Sequence, residues 1–228
     1  MVNDILSWIL DTIESVDPVL RIVLAGLAIM LETSVLIGLV VPGDTVVIVA
    51  SLATPDPLQN PAQYLGLIAA VVVGALAGES IGFALGRYFG PKIRASRVGR
   101  RIGERNWRRA EYFLDRRGGI AVFISRFLPV LHSLVPLTVG MSTMSYRKFI
   151  AWTLPACLLW ATAYVTVGAT AGGVTRRLIS EQLHWAGYVF VGIIAAFLAL
   201  VWGVKTVLAK VSERDMLVPG DGDANTRD

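Results

Sequence analysis

Twenty consecutive residues, Trp185 to Val204, carry no charge. Coiled as an α-helix, a run of that length crosses the roughly 30 Å of hydrocarbon in a bilayer. Inside hydrocarbon only helices and closed barrels keep every backbone N–H and C=O paired. The chain therefore reads as an all-α, polytopic membrane protein. Tyr64 to Gly86 is a second span, with Gly74, Gly78, Gly82 and Gly86 at every fourth position so that another backbone can approach. Phe149 to Gly173 is a third, interrupted by Pro155, and Val19 to Leu31 is apolar except for Arg21. Hydrophobic residues make up 54% of the 228, too many in runs too long for a soluble domain of this size. The single cysteine, Cys157, lies inside an apolar segment, cannot form an intramolecular disulfide, and reads as a packing residue.

Residues 1–18 place Ile5, Ile9, Ile13 and Val16 at helical spacing between the acids Asp4, Asp11 and Glu14. That pattern fits an amphipathic helix at the membrane interface. Without a basic n-region it does not read as a cleaved signal. The membrane domain is expected over 19–208, and the tail over 209–228, ending Pro219-Gly220-Asp221-Gly222-Asp223, is expected to be disordered. Arg87 to Arg117 holds eleven basic residues against Glu104, Glu111 and Asp115, which places this segment in the cytoplasm. Trp107, Ala110 and Leu114 at helical spacing are expected to lay part of it on the membrane surface. Between two membrane segments, so basic a run is not expected to bind nucleic acid.

Two apolar stretches are broken in a way the spans are not. Glu32 and Asp44 bracket a stretch cut by Pro42-Gly43, with Thr45 to Ala53 apolar again, and Ile120 to Gly140 holds Arg126, Pro129, His132 and Pro136. Each half is too short to cross a bilayer, so each stretch reads as a re-entrant helical hairpin. An offset of 94 residues lays Val40-Val41-Pro42 on Leu134-Val135-Pro136 and Gly74 and Gly78 on Gly168 and Gly172, the signature of an internal repeat. One hairpin plus one span per repeat makes the crossings odd, so the two repeats are expected to be inverted, their hairpins facing each other near the bilayer midplane. With the basic segment inside, both termini are expected in the cytoplasm. Arg176-Arg177 would then lie outside, against the usual charge bias.

Glu32, Asp44, Glu79, Arg126 and His132 lie within or at the edges of these apolar segments. A charge there costs at least about 2.5–3.5 kcal/mol unless paired or wetted. Two readings stand: salt bridges that hold the hairpins together, or a polar pocket at membrane depth. In the second, Arg126 holds an anion bidentately while the acids bind protons or a cation.

Gly78-Glu79-Ser80-Ile81-Gly82-Phe83-Ala84-Leu85-Gly86-Arg87-Tyr88-Phe89-Gly90 resembles the glycine-rich motif of the DedA family of bacterial membrane proteins, the SNARE-associated or VTT-domain proteins. Arg126-Phe127-Leu128-Pro129, followed by Pro136, Gly140 and Met144-Ser145-Tyr146-Arg147-Lys148-Phe149, is similar to its second signature. Glu32 and Asp44, with Pro42-Gly43 before the aspartate, match its paired acids. The resemblance runs from about Glu32 to Trp160. It implies facing re-entrant hairpins built on Pro42, Gly43, Pro129 and Pro136, in a protein of the bacterial inner membrane. It also implies a role in returning lipid-linked phosphate, notably polyprenyl phosphate, across the membrane at the expense of the proton-motive force. Substrate binding then falls to Arg126, His132, Glu32 and Asp44, and proton coupling to Glu32, Asp44, Glu79 and His132. One departure stands out: the family commonly carries a second arginine where this chain has His132.

The leading expectation is thus a flippase for lipid phosphate, with the lipid phosphate and the membrane as partners and association into a homo-oligomer left open. A proton-coupled carrier for a small ion or osmolyte is the alternative, and a lipid phosphatase the third. Against the enzyme, only His132 and His184 are present, in different segments, and no Ser-His-Asp set, His-Glu metal set or nucleotide-binding loop can be assembled. No catalysis, metal or cofactor is expected.

Overall fold

In a computed structural model of the chain, residues 8, 10–34, 43–55, 57–128 and 131–181 are described, with isolated positions between 188 and 206. Among the described residues the regular structure is entirely helical: α1 (Pro18–Thr33), α2 (Gly43–Leu52), α3 (Pro61–Ala95), α4 (Arg97–Ile102), α5 (Glu104–Arg117), α6 (Gly119–Ser125), α7 (Leu131–Met141) and α8 (Tyr146–Ser180). Pro42 and Pro129 lie outside the described residues, as do the tail over 209–228 and most of the expected span over 185–204.

The helix starts follow from local chemistry. Asp17 accepts from the N–H groups of Val19 and Leu20 ahead of Pro18, and Asn60 accepts from Gln63 N ahead of Pro61. Both pair an N-capping side chain with a proline whose missing N–H costs nothing in the first turn. Ser96 ends α3 and at once caps α4, accepting from Gly99 N at 3.2 Å. Gly103 (φ 85°) and Gly118 (φ 55°) adopt the left-handed backbone that separates α4, α5 and α6. Pro155 lies inside α8 and Pro136 inside α7, and neither ends its helix.

α3 and α8 contain 35 residues each, roughly 52 Å of helix, more than a bilayer's hydrocarbon thickness. Both are long and apolar enough to cross a membrane. Their outer faces are apolar as well: Leu65 and Val73 on α3, Leu158 and Leu159 on α8, and Leu20, Leu24 and Leu27 on α1 are all exposed. A continuous apolar exterior is the surface of a protein solvated by lipid.

Glycines set how closely the helices pack. A Cβ at Gly74 would collide with Gly26 O of α1, one at Gly86 with Leu137 O of α7, and one at Gly172 with Leu52 O of α2. The first half of α3 thus packs on α1 and its second half on α7, while α8 packs on α6 at its start and on α2 near its end. α3 and α8 also touch each other, through Tyr64 Oη and Thr166 Oγ1 at 2.6 Å. Exchanging α1 with α6, α2 with α7 and α3 with α8 turns this pattern of contacts into itself.

The 94-residue register is not the register of that exchange. Gly74 and Gly78 press on α1, whereas Gly168 and Gly172, their partners at that offset, press on α2. The glycines that make the equivalent contact are Gly86, on Leu137 O of α7, and Gly172, on Leu52 O of α2, and they lie 86 positions apart. Glycine recurs at every fourth position wherever backbones approach, so several registers align by eye.

A second expectation fails at α5. Trp107, Ala110, Phe113 and Leu114 are buried in protein. Trp107 packs with Leu134 and Leu137 of α7, and Phe113 with Val135 and Val139. Trp107 Nε1 donates to Gly99 O at 3.1 Å, so the indole is fully partnered without a membrane interface.

α2 is only 10 residues long and both of its ends are met by charge. Glu32 Oε2 accepts from Asp44 N at 2.7 Å at the start. At the other end Arg176 Nη1 donates to Leu52 O at 2.9 Å and Arg21 Nη2 to Ala53 O at 3.0 Å. An anion at the N-terminus and cations at the C-terminus complement the helix dipole.

Candidate functional site

The centre of the bundle is polar. Glu79 lies midway along α3, and Arg126 follows α6 in a turn closed by Phe127 N to Ile124 O and Leu128 N to Ser125 O. Their side chains are 7% and 4% exposed, and Arg126 Nη1 donates to Glu79 Oε1 at 3.3 Å. Breaking such a buried pair costs about 3–5 kcal/mol because the survivor is left charged and dry.

α8 supplies the wall opposite. Thr153, Cys157, Trp160 and Tyr164 recur at spacings of four, three and four, which puts them on one helix face. Cys157 Sγ donates to Glu79 Oε1 at 3.7 Å. Trp160 stacks on Arg126, with the guanidinium carbon 4.4 Å from the ring centroid, and Tyr164 stacks in turn on Trp160 at 4.2 Å. Thr153 faces Glu79 without reaching bonding geometry, and its hydroxyl is buried without a partner among the described residues.

Arg126 itself is under-satisfied. Among the described residues its Nε and Nη2 are buried and have no acceptor. A guanidinium has five N–H donors in a fixed fork, and each donor left buried and empty costs about 1–3 kcal/mol. Glu32 and Asp44 lie within electrostatic range of the same guanidinium. Glu32 is buried and spends one oxygen on the start of α2, while Asp44 is half-buried. A Cβ at Gly43 would strike Glu32 Oε2 and Ala28 O, so that position requires glycine for close approach.

The structure thus brings Glu32, Asp44, Glu79 and Arg126 into one electrostatic cluster, with Glu79 the acid that touches the arginine. His132 is half-buried in the first turn of α7, with Nδ1 3.3 Å from Leu128 O, and none of the contacts above runs through it. Reasoning from sequence missed Thr153, Trp160 and Tyr164 and took Cys157 for packing. Their common face on α8 was the available signal.

A buried, half-satisfied guanidinium beside carboxylates, inside a helical bundle with an apolar exterior, defines a class: integral membrane proteins with a charged site in the protein interior. Residues 41–170, more than half of the chain, match the VTT domain, and the chain belongs to that family, the DedA family of membrane proteins. It is similar to Protein DedA of Escherichia coli, 28% identical over 180 residues that cover 77% of this chain and 80% of that protein. An uncharacterised membrane protein of Mycobacterium tuberculosis is 28% identical over 195 residues, 83% of this chain and 85% of the relative. One from Mycobacterium leprae is 23% identical over 191 residues, 84% of each chain. No solved structure matches.

Proposed function

We propose that this protein is a flippase of the bacterial inner membrane that returns lipid-linked phosphate, polyprenyl phosphate above all, to the cytoplasmic leaflet. One observation carries the reading: Arg126 is buried with Nε and Nη2 empty. These two atoms form the edge of the guanidinium that grips two oxygens of a phosphate side by side. Trp160 holds the plane of the fork, and the prenyl tail stays in lipid. Glu79 is the resident counter-ion, which a phosphate replaces when the acid takes up a proton. Glu32 and Asp44 complete the proton relay, and His132 adds a second positive charge when protonated.

In this reading α1 with α2 and α6 with α7 are two inverted re-entrant hairpins facing each other. The exchange symmetry of the contacts supports it. Both termini lie in the cytoplasm. In a Cys157→Ser background, cysteines at Leu58 (93% exposed) and at exposed Thr143 label from opposite sides of the membrane. Labelling from one side rejects the inverted hairpins.

The function is tested by transport of labelled polyprenyl phosphate in liposomes containing only this protein. Wild type transports, whereas Arg126→Gln, Glu32→Gln and Asp44→Asn insert and do not. Arg126→Lys recovers little, because a point charge does not reproduce the fork. If His132 supplies charge, substrate affinity weakens between about pH 6 and about pH 8, the interval spanning histidine's ordinary value. His132→Arg then flattens the profile at the tight end and His132→Gln at the weak end. A wild type that moves no lipid phosphate but carries protons with a small ion favours the carrier reading, for which the acids near Arg126 are the supporting feature.

A further inference from the structure

Among the glycines of the long helices, Gly173 is an exception. Gly74, Gly78, Gly86, Gly168 and Gly172 are each pressed against a neighbouring helix, but a Cβ at Gly173 would meet nothing within 4 Å. No close approach explains this glycine. The space it leaves open is part of a cavity of about 390 Å³ at the end of α8, lined by Gln59, Thr170, Gly173, Arg176, Arg177 and Ser180 among others. Its volume lies in the range of about 300–1,000 Å³ typical of small-molecule sites.

The chemistry of the wall is one-sided. Both charged side chains lining the cavity are arginines, and no acid lines it. The nearby acid Glu14 is already spent on Arg176, at 2.6 Å, and the same Nη1 also caps Leu52 O. Arg176 is therefore anchored in place, whereas Arg177 is exposed and forms no ion pair among the described residues. Of the remaining polar groups, the Gln59 amide and the Thr170 hydroxyl can turn donors toward the cavity, whereas Ser180 Oγ donates to Arg177 O at 2.7 Å. From Cys157 at the buried cluster to Gly173 is 16 residues along α8, roughly 24 Å, so this is a second location.

We infer that the cavity over Gly173 is an anion site, independent of Arg126, for a phosphomonoester or diphosphate group. Arg177 is its principal charge, Arg176 its fixed wall, and Thr170 and Gln59 supply neutral donors. Adjacent guanidinium groups suit an ion with more than one negative oxygen to share between them. The same site accounts for an arginine pair at the end of α8 remote from the basic segment, where charge bias alone would not place it.

The test uses the full-length protein. Equilibrium dialysis in detergent with labelled orthophosphate and pyrophosphate covers the free ions. Phosphorus NMR in phosphatidylcholine nanodiscs, with and without phosphatidate, covers the lipid headgroup. A Cβ at Gly173 meets nothing within 4 Å, so Gly173→Leu is expected to extend into the cavity, and Arg177→Gln removes an exposed charge; both variants are expected to keep the wild-type fold, checked by the thermal midpoint. Each is expected to lower affinity by roughly tenfold or more, whereas Arg126→Gln leaves this binding intact. Saturation by free ions alone, or by phosphatidate alone, identifies the source of the group. Affinity that survives both cavity variants, that disappears in Arg126→Gln protein whose melting transition shows it to be folded, or that is absent from wild type with every probe, overturns the inference. Because the readout is binding and not transport, a flippase that fails and a cavity that fails give different results.

Discussion

The same three kinds of side chain meet twice in this protein, with opposite outcomes. Arg94, at the end of α3, lies over Trp107 with its guanidinium carbon 5.9 Å from the ring centroid. It donates to Glu111 at 2.6 Å and to both oxygens of Glu104. Arg126 lies over Trp160 at 4.4 Å and has one carboxylate partner, Glu79, at 3.3 Å. The first arginine is 28% exposed and could have used water, yet it is given two acids. The second is 4% exposed and is left with two empty donors. Stability alone would favour the reverse arrangement, since an unmet donor costs most where water is excluded. Donors left empty where emptiness is most costly are the ones that the proposed phosphate would fill. Arg94, by contrast, is a clamp that ties the end of α3 to α5.

The sharpest way to break this comparison is to remove charge from the buried pair. Arg126→Gln leaves Glu79 buried alone and lowers stability by about 3–5 kcal/mol, read from the thermal midpoint in detergent. The double variant Arg126→Gln with Glu79→Gln is expected to regain most of that stability and none of the transport. A double variant that transports would make the pair a brace. Next in size, Gly43→Ala drives Glu32 from the start of α2 and strips Asp44 N of its acceptor, at a cost of about 1–3 kcal/mol in the same assay.

Trp160→Leu leaves the ion pair but removes the surface on which the guanidinium rests. A desolvated cation–π contact is worth about 2 kcal/mol, so substrate affinity is expected to fall roughly tenfold or more, with Trp160→Phe intermediate. Equal affinity in all three proteins would mean that the indole does not position the fork. Smallest is Glu104→Gln at the exposed clamp. The hydrogen bond from Arg94 holds the Glu104 carboxyl below the usual carboxylate range. Its contribution is therefore present at neutral pH and fades as pH falls through that lowered value. The variant is expected to melt slightly below wild type at neutral pH, to converge with it in acid, and to lose the difference in high salt.

The sequence pattern exposed some of this and hid the rest for identifiable reasons. Charged residues in apolar surroundings must be paired or wetted, so Glu32, Asp44, Glu79, Arg126 and His132 stand out together in the sequence, and the structure gathers the first four around one guanidinium. Which acid touches the arginine is not legible there, because that depends on how α3 and α6 meet. The periodicity of α5 says that one face is buried but does not say against what. A membrane surface and the flank of α7 select the same Trp107, Ala110 and Leu114. On α8 the site residues Thr153, Cys157 and Trp160 are small or aromatic, types that also fill ordinary membrane-helix interfaces, so chemistry did not set them apart.

The two arginines at the end of α2 also have a consequence in time. Arg176 caps Leu52 O across 124 positions of sequence, whereas Arg21 reaches Ala53 O across 32 from the N-terminal side. A ribosome adds about 5–20 residues per second, so Ala53 O, just past α2, can meet its arginine as soon as it is made, whereas Leu52 O waits on the order of ten seconds. A bare carbonyl is tolerated in water or within the insertion machinery and not against lipid. α2 is therefore expected to dock only once α8 has arrived. A chain truncated before Arg176 should leave α2 undocked and open to protease, whereas one truncated just beyond α8 should protect it.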